Sequence, residues 1–388
     1  MSFEFPVQSP ESGKSDTGGP NLQETLQATA PSPIIRTMKD PAAPAPRGPE
    51  PGTRNQEPGT TLPRIGALRL STPLALAPMS GYADAAFRAE IRRLGGVGLA
   101  CTELISPRKL IEDSEETGII LARPPGDRPL GAHLYGSEEP YLLEAARRVL
   151  DMGFDLLDFN LGCPVRKVTR KGGGAALLER PEEAARLTGR LVEVAAGRVP
   201  VTAKIRLGPD RASVNAPELA RLLVSAGVAA LTVHGRTADE GYGVPADTEA
   251  VRAVVEAAPS IPVFANGDVD SPAAARRMLE ATGAAGLAIG RAALADPWVF
   301  ARIAADLSGQ PSREPTRVER VGFMTGHFHA LVALRGGEMA CRSFRKWCDY
   351  YGPALGLSEE QRGGFSKLSD CADVQALARQ LLAAEGIF

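Results

Sequence analysis

The sequence predicts a TIM (β/α)8 barrel followed by a small C-terminal helical domain, with a disordered N-terminal tail. Two observations carry this. Eight short apolar runs recur after residue 62, most of them followed by Gly or polar residues and then an Ala/Leu/Arg-rich helical stretch. Continuous apolar runs of this length suit strands buried on both faces, as in a parallel sheet covered by crossover helices. Eight such units in roughly 240 residues match the size of a closed barrel. A doubly wound open sheet is the architectural alternative, and a count of eight favours closure.

In chain order, residues 1–62 hold 11 of the 32 prolines. Such composition cannot bury enough apolar surface to offset chain entropy, which predicts a disordered tail. A weak amphipathic piece lies at 22–35. The barrel spans 63–308. Its strands are expected at 74–77, 97–101, 130–134, 156–159, 199–203, 228–233, 261–265 and 286–289. Helices are expected at 138–152, 181–196, 216–226, 248–258 and 271–282. Ser271-Pro272 supplies an N-cap and a first-turn proline. Gly153, Gly227 and Gly283 stand where helix C-caps are wanted. Residues 312–388 read as helices at 316–334, 338–351, 359–367 and 373–385.

Of 388 residues, 44% are hydrophobic and 23% charged, enough apolar material for a sizeable core. Lys plus Arg (44) nearly balance Asp plus Glu (46), so net charge alone does not grip nucleic acid or an anionic membrane. A local basic strip stays open. No apolar run of about 18 residues exists to span a bilayer, and the N-terminus lacks the pattern of a secretory signal. The five cysteines are odd in number and scattered, without a CxxC pair. They read as reduced thiols in a cytoplasmic protein. There is no Cys/His cluster, so no metal is expected. Oligomeric state is left open, a monomer being compatible.

In such a barrel the chemistry sits on the loops after the strands. The endings here are Pro78-Met79-Ser80-Gly81, Thr102-Glu103, Ala132-His133-Leu134-Tyr135-Gly136, Asn160-Leu161-Gly162-Cys163-Pro164, Lys204-Ile205-Arg206, His234-Gly235-Arg236-Thr237, Asn266-Gly267-Asp268 and Gly290-Arg291. The last two follow strands seven and eight, where such barrels commonly bind phosphate through backbone N–H groups. Arg291 adds a fork of donors. With Lys204 beside an electron-rich ring, these features suit flavin mononucleotide (FMN). Gly267 and Gly290 also fit plain turn glycines, and Lys204 fits a buried partner for a carboxylate.

Cys163 lies in a tight turn followed by Arg166, Lys167, Arg170 and Lys171. An electropositive neighbourhood favours thiolate chemistry. No cysteine-protease pattern accompanies it, and a proton donor facing a bound ring is the better role. Gly172-Gly173-Gly174 suggests a loop that closes over, or yields to, a large substrate. His133 and His234, at strand ends, point to a site. His327 and His329 read as solvated or core-satisfied.

Taken as a set, Ala77-Pro78-Met79, Asp158-Phe159-Asn160-Leu161-Gly162-Cys163-Pro164 with Val168 and 172–178, Lys204-Ile205-Arg206, His234-Gly235-Arg236-Thr237, Asn266-Gly267-Asp268 and Ile289-Gly290-Arg291 resemble the tRNA-dihydrouridine synthase family. The match runs in order over about residues 64–305. The resemblance implies that NADPH reduces bound FMN, and that hydride passes from flavin N5 to C6 of a flipped uridine in tRNA. Cys163 would then protonate C5. It also implies that Pro78, Met79 and Ser80 line the flavin, with Lys204 and His234 on its ring or side chain. Asn266, Gly267, Asp268, Gly290 and Arg291 would hold the ribityl phosphate, and Asn160 and Arg206 the uracil edge. Recognition of an unstacked pyrimidine by stacking and edge hydrogen bonds agrees with this.

Two departures stand out. The family usually carries Gln where His133 stands; His133 still offers the flavin one donor or acceptor per nitrogen. The family's arginine-lysine-histidine run reads Phe344-Arg345-Lys346-Trp347 here. Arg345 and Lys346 are candidates for phosphate contacts, on a helical domain expected to bind RNA. Residues 321–388 carry 7 basic and 7 acidic side chains, so an RNA-binding face there must be a strip. The competing readings are an FMN-dependent barrel oxidoreductase acting on a small molecule, the same chemistry on ribosomal RNA, and an RNA-binding barrel without chemistry.

Overall fold

The computed structural model describes residues 62–385; the expected proline-rich tail and its amphipathic piece lie outside the described residues. An antiparallel hairpin, β1 (Arg64–Ile65) and β2 (Leu68–Arg69), opens the described chain. Eight parallel strands follow: β3 (Leu74–Leu76), β4 (Leu99–Cys101), β5 (Leu130–Leu134), β6 (Leu156–Asn160), β7 (Val201–Arg206), β8 (Ala230–His234), β9 (Val263–Asn266) and β10 (Gly286–Ile289). They close into a barrel when β10 pairs with β3, Leu287 beside Leu74. The predicted TIM barrel is the observed fold.

Several strands begin about two residues later than the apolar runs do. Val97, Val199, Val228 and Ile261 belong to the turns that enter the barrel rather than to its ladder. At the other end the ladder continues past the apolar residues into polar ones: Asn160, Lys204 and Arg206, His234 and Asn266. Hydrogen-bond pairing, unlike an apolar run, is indifferent to side-chain polarity.

The barrel is filled, not hollow. Ile65 and Leu70, from the hairpin and the residue after it, plug its N-terminal end against Ala75, Leu99, Leu156 and Phe264. Gly286 is required there. A Cβ at that position would lie 2.5 Å from both the Phe264 ring and the Pro73 carbonyl. The opposite end is thus the one left for a ligand.

Helices Glu139–Asp151, Pro181–Ala195, Ala216–Ser225, Thr248–Ala257 and Pro272–Thr282 cover the outside, as the sequence predicts. Three more, Ala85–Leu94, Pro107–Ile111 and Glu115–Ile120, were not legible. In the first, Arg88 occupies the buried face and breaks the apolar stripe. It is fully buried, its Nε 2.8 Å from Asp127 Oδ2, and its other nitrogens donate to the Ala83 and Ala122 carbonyls. Such a charge is tolerated inside because every donor is satisfied.

After Val299–Leu307 the chain forms helices Arg317–Arg335, Gly337–Phe344, Cys348–Leu355, Glu359–Phe365 and Cys371–Ala383. The expected single helix at 338–351 is broken by a 3-10 turn at Arg345–Trp347. That turn drives Trp347 into the core, 1% exposed, with ring centroids 5.0 Å from Phe87 and 4.5 Å from His327. His327 is therefore a core histidine. Its Nδ1 meets the Tyr351 hydroxyl at 2.8 Å, and burial pushes its pKa down to about 3. The helical part and the barrel share one continuous apolar core.

Trp347→Ala should therefore lower unfolding free energy by about 3–5 kcal/mol through the cavity it leaves. Urea denaturation followed by circular dichroism checks this.

Candidate active site

The register of the barrel sets the site. Asn160 pairs with Lys204, Arg206 with His234, and His234 with Asn266. Polar residues from four consecutive strands thus stand side by side at the C-terminal rim. They open onto a cavity of about 1180 Å³. Every residue expected at the barrel site lines it: Pro78, Met79, Ser80, His133, Asn160, Cys163, Lys204, Arg206, His234, Asn266, Gly267, Asp268, Gly290 and Arg291.

Arg345 and Lys346 stand apart from this wall. The 3-10 turn aims Arg345 Nε at the Leu368 carbonyl, 2.8 Å away. Lys346 donates to the Gly81 carbonyl and lies over the Tyr82 ring, 4.7 Å from its centroid. Lys346 thus reaches across the seam between helical part and barrel, while Arg345 ties the turn to the helical part itself. Sequence reading missed Tyr82, Tyr242 and Tyr350, which also line the cavity. Tyr82 directly follows the first strand-end motif and was within reach of that signal. Tyr350 arrives from the helical part, where nothing in the sequence pattern points to the barrel mouth.

The site is rich in cations. Lys204 Nζ donates to Asn266 Oδ1 at 3.1 Å, and Arg206 donates to the Thr237 and Glu240 carbonyls. These acceptors are neutral. Arg236, 1% exposed, reaches both Asp268 oxygens through Nη2 alone, at 2.6 and 2.7 Å. Arg291 lies 3.5 Å from the same carboxylate and stacks 3.9 Å above Tyr242. Burial, and then the neighbouring Arg206, push the Lys204 ammonium down to about 8. Burial and the charges of Lys204, Arg206, Arg236 and Arg291 push His234 down to about 2, so its ring is neutral. Its Nε2 sits 3.2 Å from Arg236 Nη1, which donates to it.

Buried like charges with neutral acceptors favour an anionic ligand. The backbone at the rim admits one closely. Gly267 adopts φ +130°, and a Cβ there would lie 2.8 Å from Ala246 Cβ. At Gly290 the nearest atom to such a Cβ is Met79 Sδ at 3.5 Å, which leaves room beside the backbone. A flat ring carrying a phosphate fits this donor set.

Cys163 is half-buried at the cavity wall. Its backbone N–H donates to Asn160 Oδ1 at 3.0 Å. Burial raises its thiol pKa, opposed by the Val165 N–H and by Arg206 and Lys204. A thiol raised in this way keeps its proton at neutral pH. Arg166, Lys167, Arg170 and Lys171 lie exposed on the outer surface, and the group at the cavity is a thiol. The glycine run packs tightly in this conformation. Gly174 lies where a Cβ would meet the Cys163 carbonyl at 2.6 Å, and Gly173 where it would meet Gly136 Cα at 3.1 Å.

The match to known proteins agrees. The family model described as dihydrouridine synthase (Dus) matches residues 75–381. The chain belongs to the dihydrouridine synthase family. These enzymes are flavin-dependent oxidoreductases. The chain is 38% identical over 321 residues to "tRNA-dihydrouridine synthase B" of Pseudomonas aeruginosa, covering 82% of this chain and 96% of that one. It is 37% identical over 319 residues to a "Probable tRNA-dihydrouridine synthase" of Rhodobacter capsulatus, covering 81% and 96%. Among the described residues of this family member, no helix is long and apolar enough to cross a membrane.

Gly267→Ala should destabilise the synthase by about 1–3 kcal/mol, the strain of a side chain at positive φ. Adding Ala246→Gly should recover the contact part of that loss and leave the φ part. Thermal unfolding of the two variants separates them.

Proposed function

We propose that this protein reduces the C5–C6 bond of uridines in tRNA to 5,6-dihydrouridine, with FMN as its flavin and NADPH as reductant. The observation that carries the reading is Cys163: a protonated thiol at the wall of a cation-rich cavity, beside the residues suited to a flavin. The names of the relatives support tRNA as the substrate class.

FMN, when bound and reduced by NADPH, would supply the hydride for C6. Lys204 and His234 would contact its ring or side chain, and Pro78, Met79 and Ser80 would line it. Asn266, Gly267, Asp268, Gly290 and Arg291 would hold the phosphate. Neutral His234, whose Nε2 accepts from Arg236, carries its proton on Nδ1 and can donate one hydrogen bond without adding charge. Lys204, with its lowered pKa, balances negative charge while protonated. Asn160 and Arg206 grip the edge of the flipped base. Cys163 gives its proton to C5, so that one hydride and one proton saturate the bond, and the thiolate left behind is reprotonated from solvent. In this reading Lys346 acts from the seam between helical part and barrel and Arg345 from within the helical part, through the position of the helices that bind tRNA.

Cys163→Ala should keep its flavin yet slow dihydrouridine formation by about 100-fold or more, the usual contribution of a positioned acid. Single-turnover assays with reduced protein and tRNA check it; unchanged turnover would remove Cys163 from the chemistry. Mass spectrometry of nucleosides from tRNA and ribosomal fractions, with and without the gene, decides the substrate. Loss confined to ribosomal RNA moves the target, and no loss at all favours a small-molecule substrate.

FMN affinity should be flat below about pH 8 and fall above it, as Lys204 loses its proton, by up to about tenfold per pH unit. The sign follows from charge: the electron-rich flavin ring beside Lys204 favours the ammonium, so affinity is lost once the free site deprotonates. Lys204→Met should abolish this slope in a fluorescence titration.

A further inference from the structure

Behind Cys163 runs a buried chain of hydrogen bonds in which each link has a fixed sense. The backbone N–H of Cys163 donates to Asn160 Oδ1 at 3.0 Å. A backbone N–H can only donate, so the amide oxygen faces Cys163 and the amide nitrogen faces the other way. There it meets His133 Nε2 at 2.9 Å. An amide nitrogen also only donates, so Nε2 accepts and the ring proton sits on Nδ1. That proton points at Asp158 Oδ2, 2.6 Å away. Asp158 in turn accepts from Thr202 Oγ1 at 2.6 Å through its other oxygen. His133, Asp158, Asn160 and Thr202 are all buried, with His133 1% exposed.

Both nitrogens of His133 are therefore used within the protein. The ring lines the cavity with its carbon edge and has no hydrogen bond left for a flavin. We infer that His133 is a positioning residue for Cys163. It sets the sense of the Asn160 amide and, through that amide, holds the turn that carries the thiol. The inference rests on the proposed role of Cys163 as the proton donor.

Loss of the His133 side chain's polar atoms frees the Asn160 amide to rotate and leaves Asp158 buried with Thr202 alone. A buried chain of this kind is fully satisfied or costly, so the Cys163 turn should shift when one link is removed. Displacement of a catalytic group by about 1 Å can cost on the order of 100-fold in rate. Glutamine carries one donor and one acceptor on a single group and can serve both neighbours; phenylalanine serves neither.

The test compares His133→Gln, His133→Phe and Cys163→Ala as flavin-loaded enzymes on tRNA. It follows kcat, KM, flavin per chain and the rate of Cys163 alkylation by iodoacetamide, read by peptide mass spectrometry. His133→Phe should lose about tenfold or more in kcat while KM and flavin content stay within about twofold. Its Cys163 alkylation rate should change by about threefold or more, and His133→Gln should restore both values. Unchanged kcat and alkylation in His133→Phe, with Cys163→Ala inactive, would overturn the positioning role alone. Loss of flavin together with kcat would overturn it in favour of a direct flavin contact. Full activity in Cys163→Ala would overturn the proton-donor reading itself. Should His133→Phe fail to fold, His133→Asn keeps the donor toward Asp158, drops the acceptor toward Asn160, and gives the same readouts.

Discussion

Closure of eight parallel strands is the constraint on which everything else depends. A parallel barrel sends every strand out at the same end, so one rim collects all eight strand-to-helix connections. The register between β6, β7, β8 and β9 then decides which side chains become neighbours there. It brings Asn160, Lys204, Arg206, His234 and Asn266 together although more than 100 residues of chain separate the first from the last. The plug of Ile65, Leu70 and Phe264 closes the other end. A ligand has one way in.

The helical part completes that rim rather than hanging from it. Trp347 inserts between Phe87 and His327, and Arg335 lies 3.7 Å from Asp84 on the barrel side. Lys346 crosses the same seam to the Gly81 carbonyl, in the loop that also carries Met79 and Ser80. The seam delivers Tyr350 to the cavity wall beside Tyr82, ring centroids 5.5 Å apart. An aromatic side of the pocket thus comes from packing between two parts of the chain, a surface suited to a flat base.

Charge at the mouth is arranged to need a ligand. Lys204 and Arg206 end on neutral acceptors, while Arg236 and Arg291 share Asp268. Burial first, and that unbalanced field second, lowers the values of Lys204 and His234. Cys163 stays protonated within it because desolvation of a thiolate outweighs the attraction of Arg206 and Lys204. A thiol that keeps its proton is what a donor to carbon requires.

The sequence by itself determined the barrel, because eight apolar runs can be buried on both faces only under a layer of helices. It also determined which strand-end residues line the cavity, because polar or Gly-rich endings after such runs have one rim to occupy. It did not reveal helix Ala85–Leu94, whose buried Arg88 looks polar until Asp127 and two carbonyls are brought to it from elsewhere in the chain. Nor did it reveal that Lys346 serves the seam while Arg345 holds the Leu368 carbonyl within the helical part, because a 3-10 turn interrupts the expected helix there. The partners of His133 and the burial of Cys163 likewise came only with tertiary structure. Both depend on burial and on atoms from other strands, which no spacing along one strand encodes.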